Sequence, residues 1–461
     1  MDRKGIRDHS EITPEMEKLA AKAESADMVN SELYVKYNVK RGLRDLNGNG
    51  VLAGLTNISE VRAKKVVNRM EVPDDGHLIY RGYEINDLMD GFFTENRFGF
   101  EETAYLLLFG TLPTKEQLES FSADLISYRS LPESFTRDII MKAPSHDMMN
   151  TLSRSVLTMY AYDDRADDVS LPNVLRQCMS LISELPMMGI YGYEAYNHYE
   201  NGGTLIIHQP LTRGTIAENI LHLLRPNSQY TSLEARVLDA ALVLHMDHGG
   251  GNNSAFTTHV VTSSMTDTYS AIAAALCSLK GPRHGGANIR VVRMFDDIKA
   301  SVHDWEDDEE VSAYLRKLLH GEAFDRSGLI YGVGHAVYSL SDPRAVIFRS
   351  YTKELAEADG RQKEYALYEK VAQLAPQVIA EERKMYKGAC VNIDFYSGFV
   401  YEMLGIPREL FTPLFAMSRI VGWSSHRIEE LANRGKIIRP CYRYVGEDKK
   451  YVPLGGRGLD E

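Results

Sequence analysis

Four short segments in the C-terminal half carry residue types that could do chemistry. They are His245-Met246-Asp247-His248-Gly249-Gly250-Gly251, Gly281-Pro282-Arg283-His284-Gly285-Gly286-Ala287-Asn288, Gly332-Val333-Gly334-His335-Ala336 and Val391-Asn392-Ile393-Asp394-Phe395-Tyr396-Ser397-Gly398. Each sets an ionisable side chain among small residues, and glycine lets a ligand or a second backbone come close. Histidine exchanges protons near neutral pH. Three arginines accompany the segments: Arg344 nine residues after His335, Arg419 within Met417–Trp423, and Arg439 before Pro440. A guanidinium grips a carboxylate in two-pronged fashion, so three of them with a histidine suit a small dicarboxylate or tricarboxylate. Singly, each arginine reads as a surface charge; the set reads as an anion site.

An aspartate with two histidines suits the removal of a proton next to a carbonyl. A thioester α-proton is on the order of 16 pKa units less acidic than a carboxylic acid, a gap of roughly 22 kcal/mol at 1.36 kcal/mol per unit. Tens of turnovers per second tolerate a barrier of only about 15 kcal/mol. Asp394 alone therefore falls short, and a positioned donor must stabilise the enolate oxygen. His284 is the candidate. Its place after Pro282 predicts a helix start, where the macrodipole would keep the imidazole neutral and able to donate.

Three look-alike motifs fail their own tests. Asp45-Leu46-Asn47-Gly48-Asn49-Gly50 imitates a calcium loop, but position twelve is Thr56 rather than a bidentate glutamate. Gly332-Val333-Gly334 opens like a dinucleotide fingerprint, but Val337 takes the third glycine position and no βαβ pattern surrounds it. His245 and His248 share a helix face, but the run that follows offers only glycine and asparagine. No metal is expected, and His245 reads as a structural hydrogen-bonding residue.

The elements that must position these groups are mostly helices. Strand signals are confined to 50–85, at Val51-Leu52-Ala53 and at His77–Tyr80 after the turn Asp74-Asp75-Gly76. Residues 1–45 read as one helix plus an extended arm. Apolar spacing predicts helices over 147–163, 171–185, 215–224, 232–246, 265–279, 362–383 and 408–432. Thr114 with Gln117 predicts a capping box, and Gly110 a helix C-terminus. Small residues from Ser270 to Ser278 fit an interior helix or one at a subunit interface.

The 461 residues exceed one hydrophobic core and imply two domains. With 44% hydrophobic and 25% charged residues, the chain has ordinary globular composition. A net charge of −12 without a basic stripe excludes nucleic acid as the main partner, and no apolar run reaches membrane-spanning length. The opening residues lack the pattern of a secretory or transit signal, so a cytoplasmic location is expected. Cys178, Cys277, Cys390 and Cys441 form no close pair and read as reduced thiols.

Taken jointly, these motifs resemble the citrate synthase family, from about residue 33 to about 445. Gly42-Leu43-Arg44-Asp45 and Ile79-Tyr80-Arg81-Gly82-Tyr83 belong to the match, and His245–Asn253 is closest to bacterial members. The resemblance implies a mainly α fold with a few short strands near the N-terminus. It implies a large dimer-forming domain (1–285 and 395–461) and a small domain (286–394) that closes over the substrates. The implied reaction joins oxaloacetate to acetyl-CoA, a substrate rather than a cofactor. In it Asp394 would be the base, His284 the donor to the thioester oxygen, and His335 the group that protonates the ketone oxygen. His248, Arg344 and Arg419 would hold oxaloacetate. Arg439 would reach the neighbouring subunit's site, and Gly332, Val333 and Gly334 would lie against CoA. Arg283, Ile289 and Ser339 depart from the family pattern and bear on CoA grip and acyl preference. The rival readings are 2-methylcitrate synthase, which uses propionyl-CoA, and a non-catalytic homologue that binds CoA or dicarboxylates.

Overall fold

The computed structural model describes residues 10–45, 50–384 and 388–457. The chain divides into one unit up to Leu55 and a second from Thr56 onward. In the first, Thr13 caps α1 (Pro14–Asp27) by accepting from Met16 N at 3.2 Å, with Pro14 at the first helical position. Next comes α2 (Ser31–Lys36), so two helices replace the expected single helix. Neither buries a residue. The expected strand at Val51–Ala53 does not form: the segment is irregular and Leu52 is 84% exposed. A strand needs a ladder partner, and apolar content alone supplies none. Residues 46–49 of the calcium-loop look-alike lie outside the described residues.

The second unit opens with a hairpin of β1 (Ser59–Val67) and β2 (Met70–Tyr80), continued by β3 (Tyr83–Glu84). Asn68 and Arg69 turn the hairpin at φ +51° and +66°. That conformation usually calls for glycine, which is why sequence patterning overlooks β1. Asp74-Asp75-Gly76 is not a turn between elements but an irregularity inside β2. Arg62 pairs with His77 and Lys64 with Pro73, so three residues face one. At Gly76 a Cβ would stand 2.2 Å from Ser341 O, so only glycine lets the Ser341-Asp342-Pro343 loop come this close.

Helices follow: α3 (Ile85–Thr94), α4 (Phe100–Phe109), α5 (Lys115–Ser127), α6 (Met148–Met159), α7 (Leu171–Asn201), α8 (Ile216–Leu224) and α9 (Ser232–His245). Then come α10 (Asn253–Thr262), α11 (Thr268–Lys280), α12 (Ala287–Ser301), α13 (Asp308–Leu319) and α14 (Pro343–Ala358). The last three are α15 (Gln362–Arg383), α16 (Asp394–Met403) and α17 (Phe411–Ala432). The fold is mainly α, as expected. Gly110 closes α4 at φ +85°, and Thr114 and Gln117 form the capping box of α5. Helix α7 runs past its expected end through Pro186, because its buried face continues. Proline removes one backbone bond there, and packing against α6, α8 and α17 outweighs the loss. The small-residue helix is α11, whose Ala271, Ile272, Ala275 and Leu276 are fully buried, which favours the interior reading.

Helix α17 is the axis of the site. It packs against α4, α7, α9, α10 and α11. Over this body, α12 and α14 pack on α16, and α13 and α14 on α15.

Candidate active site

The loop after α9 is pinned from behind. Tyr80 Oη lies 3.1 Å from Asp247 O and accepts from Asp247 N at 3.2 Å. The Asp247 carboxylate accepts from Gly249 N at 3.1 Å, from Ser59 Oγ, and from His426 Nε2 at 3.1 Å. With Asp247 held this way, His248 faces a cavity of about 150 Å³. Its Nε2 is buried without a partner. Burial, reinforced by Arg344, His335 and Arg419, holds its pKa well below 6.5, so the ring is neutral.

His335 lines the same cavity. Its Nδ1 accepts from Val337 N and Tyr338 N, both at 3.1 Å, so the neutral ring carries its proton on Nε2. The ring stacks on Tyr338 (centroids 4.6 Å apart) and meets His248 edge-on at 5.1 Å.

His284 stands in the turn after Gly281, its backbone N donating to Gly281 O at 2.8 Å. The helix expected to start at Pro282 begins only at Ala287. Burial first and the Arg419 charge second push its pKa down to about 4, so the expected neutrality holds for a different reason. Trp423 Nε1 donates to Ser254 Oγ at 3.0 Å, and Ser254 Oγ lies 3.1 Å from His284 Nε2. When the serine hydroxyl donates to Nε2, the imidazole proton sits on Nδ1, available to a ligand.

Asp394 is the first residue of α16, and its backbone N donates to Asn392 Oδ1 at 3.0 Å. Burial raises its carboxyl to about 6; Arg344 pulls it down, Asp342 pushes it up, and Arg419 pulls it down. Arg344, at the start of α14, is clamped to the Asp342 carboxylate through Nε (3.0 Å) and Nη2 (2.7 Å). Arg419 is fully buried. Its Nε donates to His245 O at 2.6 Å, and the guanidinium lies 4.5 Å over Phe415. Its Nη1 and Nη2 have no protein partner. A buried guanidinium with two open nitrogens is costly unless an anion completes it.

The structure thus brings six of the expected residues around one cavity: His248, His284, His335, Arg344, Asp394 and Arg419. Arg439 is not among them; it is exposed on the segment after α17. Gly332, Val333 and Gly334 do not line the cavity either. They strap the segment leading to Asp394: Val333 bridges Val391, Gly334 N donates to Cys390 O at 2.7 Å, and Asn392 N donates to Gly332 O at 2.9 Å. A Cβ on Gly332 would stand 3.1 Å from Phe395 Cα, so this glycine permits the close approach. His245 is the structural group expected, with Nδ1 2.7 Å from Ala241 O.

Sequence reading missed Asp342, Ser254 and Trp423 as supports, and Asn252, Asn288 and Tyr401 as lining groups. Asp342 carries a signal, since an aspartate before a proline reads as a helix cap; its bond to Arg344 has no such signal. Trp423 lies four residues after Arg419, on one face of a helix.

Comparisons with known proteins place the chain in a family. A family model described as "Citrate synthase, C-terminal domain" matches residues 45–441. Citrate synthase of Haloferax volcanii is 35% identical over 390 residues, covering 83% of this chain and 94% of that protein. 2-Methylcitrate synthase 1 of Corynebacterium glutamicum is 32% identical over 424 residues, covering 91% and 98%. The ternary complex of Thermoplasma acidophilum citrate synthase with carboxymethyl coenzyme A and oxaloacetate superimposes with a TM-score of 0.74. It is 26% identical and covers 91% of this chain and 99% of that one. The chain belongs to the citrate synthase family.

Proposed function

We propose that this protein condenses oxaloacetate with acetyl-CoA and water to give citrate and CoA. The open nitrogens of Arg419, with Arg344 and His248, hold the oxaloacetate carboxylates. Asp394 takes a proton from the acetyl methyl, and His284 Nδ1–H donates to the thioester oxygen, so an uncharged donor shares the cost of the enolate. The enolate carbon bonds to the ketone carbon while His335 Nε2–H delivers its proton to the ketone oxygen. Water then cleaves the citryl thioester and CoA leaves as the thiol.

One observation carries this reading: a carboxyl raised to about 6 and an imidazole lowered to about 4 line one cavity beside a buried arginine bonded to the protein through Nε, with Nη1 and Nη2 open. Groups whose environments drive their pKa values in these directions suit base and neutral-donor roles. The test follows thiol release from oxaloacetate plus acetyl-CoA. No release by the folded protein leaves the non-catalytic reading as the better one.

The similarity to 2-methylcitrate synthase 1 over 91% of the chain keeps propionyl-CoA in view. One methylene changes binding by only about 1–3 kcal/mol. Parallel assays with the two thioesters decide, and a higher kcat/KM with propionyl-CoA overturns the citrate assignment.

The same proposal includes a homodimer in which Arg439 completes the partner's site, and closure of segment 286–394 over the substrates. It includes contact between the Gly332–Gly334 strap and CoA, a need for no cofactor, and a cytoplasmic location. No helix among the described residues is long and apolar enough to cross a membrane.

A further inference from the structure

Behind the cavity lies a second cluster that the condensation chemistry does not use. His426 and Glu429 project from one face of α17, and His259 projects from α10, which packs against it. His259 Nε2 and His426 Nδ1 stand 3.2 Å apart. Glu429 Oε2 is 3.9 Å from His426 Nδ1, too far for a hydrogen bond. All three atoms fall within 4.8 Å of one another. The Glu429 side chain is 9% exposed, and its Oε2 has no hydrogen-bond partner.

We propose that His259 Nε2, His426 Nδ1 and Glu429 Oε2 bind a divalent cation of the Zn(II) class. Zn–N bonds of about 2.0–2.1 Å in a tetrahedron place two imidazole nitrogens roughly 3.3 Å apart, close to the 3.2 Å observed. The other nitrogen of each ring already meets a carboxylate. His426 Nε2 lies 3.1 Å from Asp247 Oδ1, and His259 Nδ1 lies 2.9 Å from Glu430 Oε2. Metal-binding histidines are oriented in this way. The remaining Glu429 oxygen accepts from Asn57 N at 2.6 Å. Three carboxylates around two imidazoles leave an excess of negative charge. A hydrogen bond between the rings accounts for their contact but leaves Glu429 Oε2 unsatisfied; a cation accounts for both. Entry is through the partly exposed His259 and Glu430, whose side chains are 13% and 17% exposed. The ion would brace the 247–251 loop, since a Cβ on Gly250 would lie 3.4 Å from His259 Nε2. This is a positioning site, distinct from the histidine pair His245/His248 considered above.

The test uses the untagged full chain carrying Cys277→Ser and Cys441→Ser, which removes the two exposed thiols. After chelator dialysis it is titrated with Zn(II) and with Co(II). Expected are one ion per chain, the visible absorption of tetrahedral Co(II), and a Tm that rises with Zn(II). Glu429→Gln and His259→Asn, checked for folding by circular dichroism, should weaken Zn(II) by roughly 10-fold or more, and Glu430→Gln by roughly 10–100-fold. Absence of saturable uptake by the folded parent overturns the proposal. So does equal affinity in the parent, Glu429→Gln and His259→Asn, or a Tm indifferent to Zn(II).

Discussion

Helix α17 carries two arginines, eight residues apart and both fully shielded from solvent, and they end in opposite states. Arg427 spends its donors inside the protein: Nε on Thr268 Oγ1 (3.2 Å), Nη1 on Thr262 Oγ1 (3.1 Å) and Nη2 on Thr266 O (2.7 Å). Arg419 spends only Nε, on His245 O, and leaves Nη1 and Nη2 open toward the cavity. Burial lowers both pKa values, Arg419 to about 10. Burial alone therefore does not separate a structural arginine from a ligand-binding one. The separation lies in where the hydrogen bonds go, because a buried donor without a partner costs free energy until a ligand supplies one.

The largest effect expected is at Asp394, which lines the cavity with Arg419 and is the base in the proposed reaction. Asp394→Asn should cut turnover on the order of 10³-fold while oxaloacetate still binds, since the carboxylate acts in the transition state. Turnover that survives the change removes Asp394 from the role of base. In the parent, kcat/KM should fall as pH drops through about 6, where the free carboxyl takes up its proton. A stability effect accompanies this. The folded pKa lies above the ordinary value of 3.8, so ionising Asp394 penalises the folded state above pH 6, and the penalty vanishes below pH 4. Asp394→Asn should therefore raise stability at pH 8 by up to about 3 kcal/mol, with no gain at pH 4. Thermal melts at the two pH values check it.

Next is the arginine contrast itself. Arg419→Met should raise the oxaloacetate KM on the order of 100-fold, as expected for a lost charge-assisted pair of about 3 kcal/mol. It should leave stability level or improved, because a buried charge is replaced by an apolar chain. If Arg419→Met instead unfolds the protein, the open nitrogens belong to the fold rather than to a ligand.

A smaller effect is expected from the exposed third arginine. Arg439→Ala should raise KM roughly 10-fold, consistent with loss of one partly solvated charge contact. Mixing Arg439→Ala with Arg419→Ala chains should restore about a quarter of the sites after random exchange of equal amounts, each restored site combining an intact residue from each chain. No recovery after verified exchange rejects a shared site.

Arg427→Met should change KM least. Its cost should appear instead as about 2–3 kcal/mol of stability, read by denaturant titration, because the threonine partners lose their donors. A large KM effect here would erase the contrast between the two arginines.

The helices over 147–163, 171–185, 215–224, 232–246, 265–279, 362–383 and 408–432, the capping box at Thr114 and six of the cavity residues were legible because each rests on spacing within a few residues, whereas α3, α10, α13, α14 and α16 went unread. The hairpin start was not legible, since Asn68 and Arg69 adopt positive φ without glycine. Nor was the continuation of α7 beyond Pro186, where burial of a whole face outweighs one lost backbone bond. His284 shows the limit most directly. Its neutrality was expected from a helix terminus, yet it arises from burial and Arg419, neither of which is local.

By itself the sequence determined the inventory: which acids, bases and guanidinium groups exist, and on which helical or loop segments. Tertiary structure decided their assignments: Arg419 open and Arg427 satisfied, His248 facing the cavity and His426 paired behind it. The reason is that satisfaction and charge are settled by contacts between residues distant in the chain. Trp423 reaches Ser254 across 169 positions, and His426 reaches Asp247 across 179. Local periodicity carries no record of such pairs.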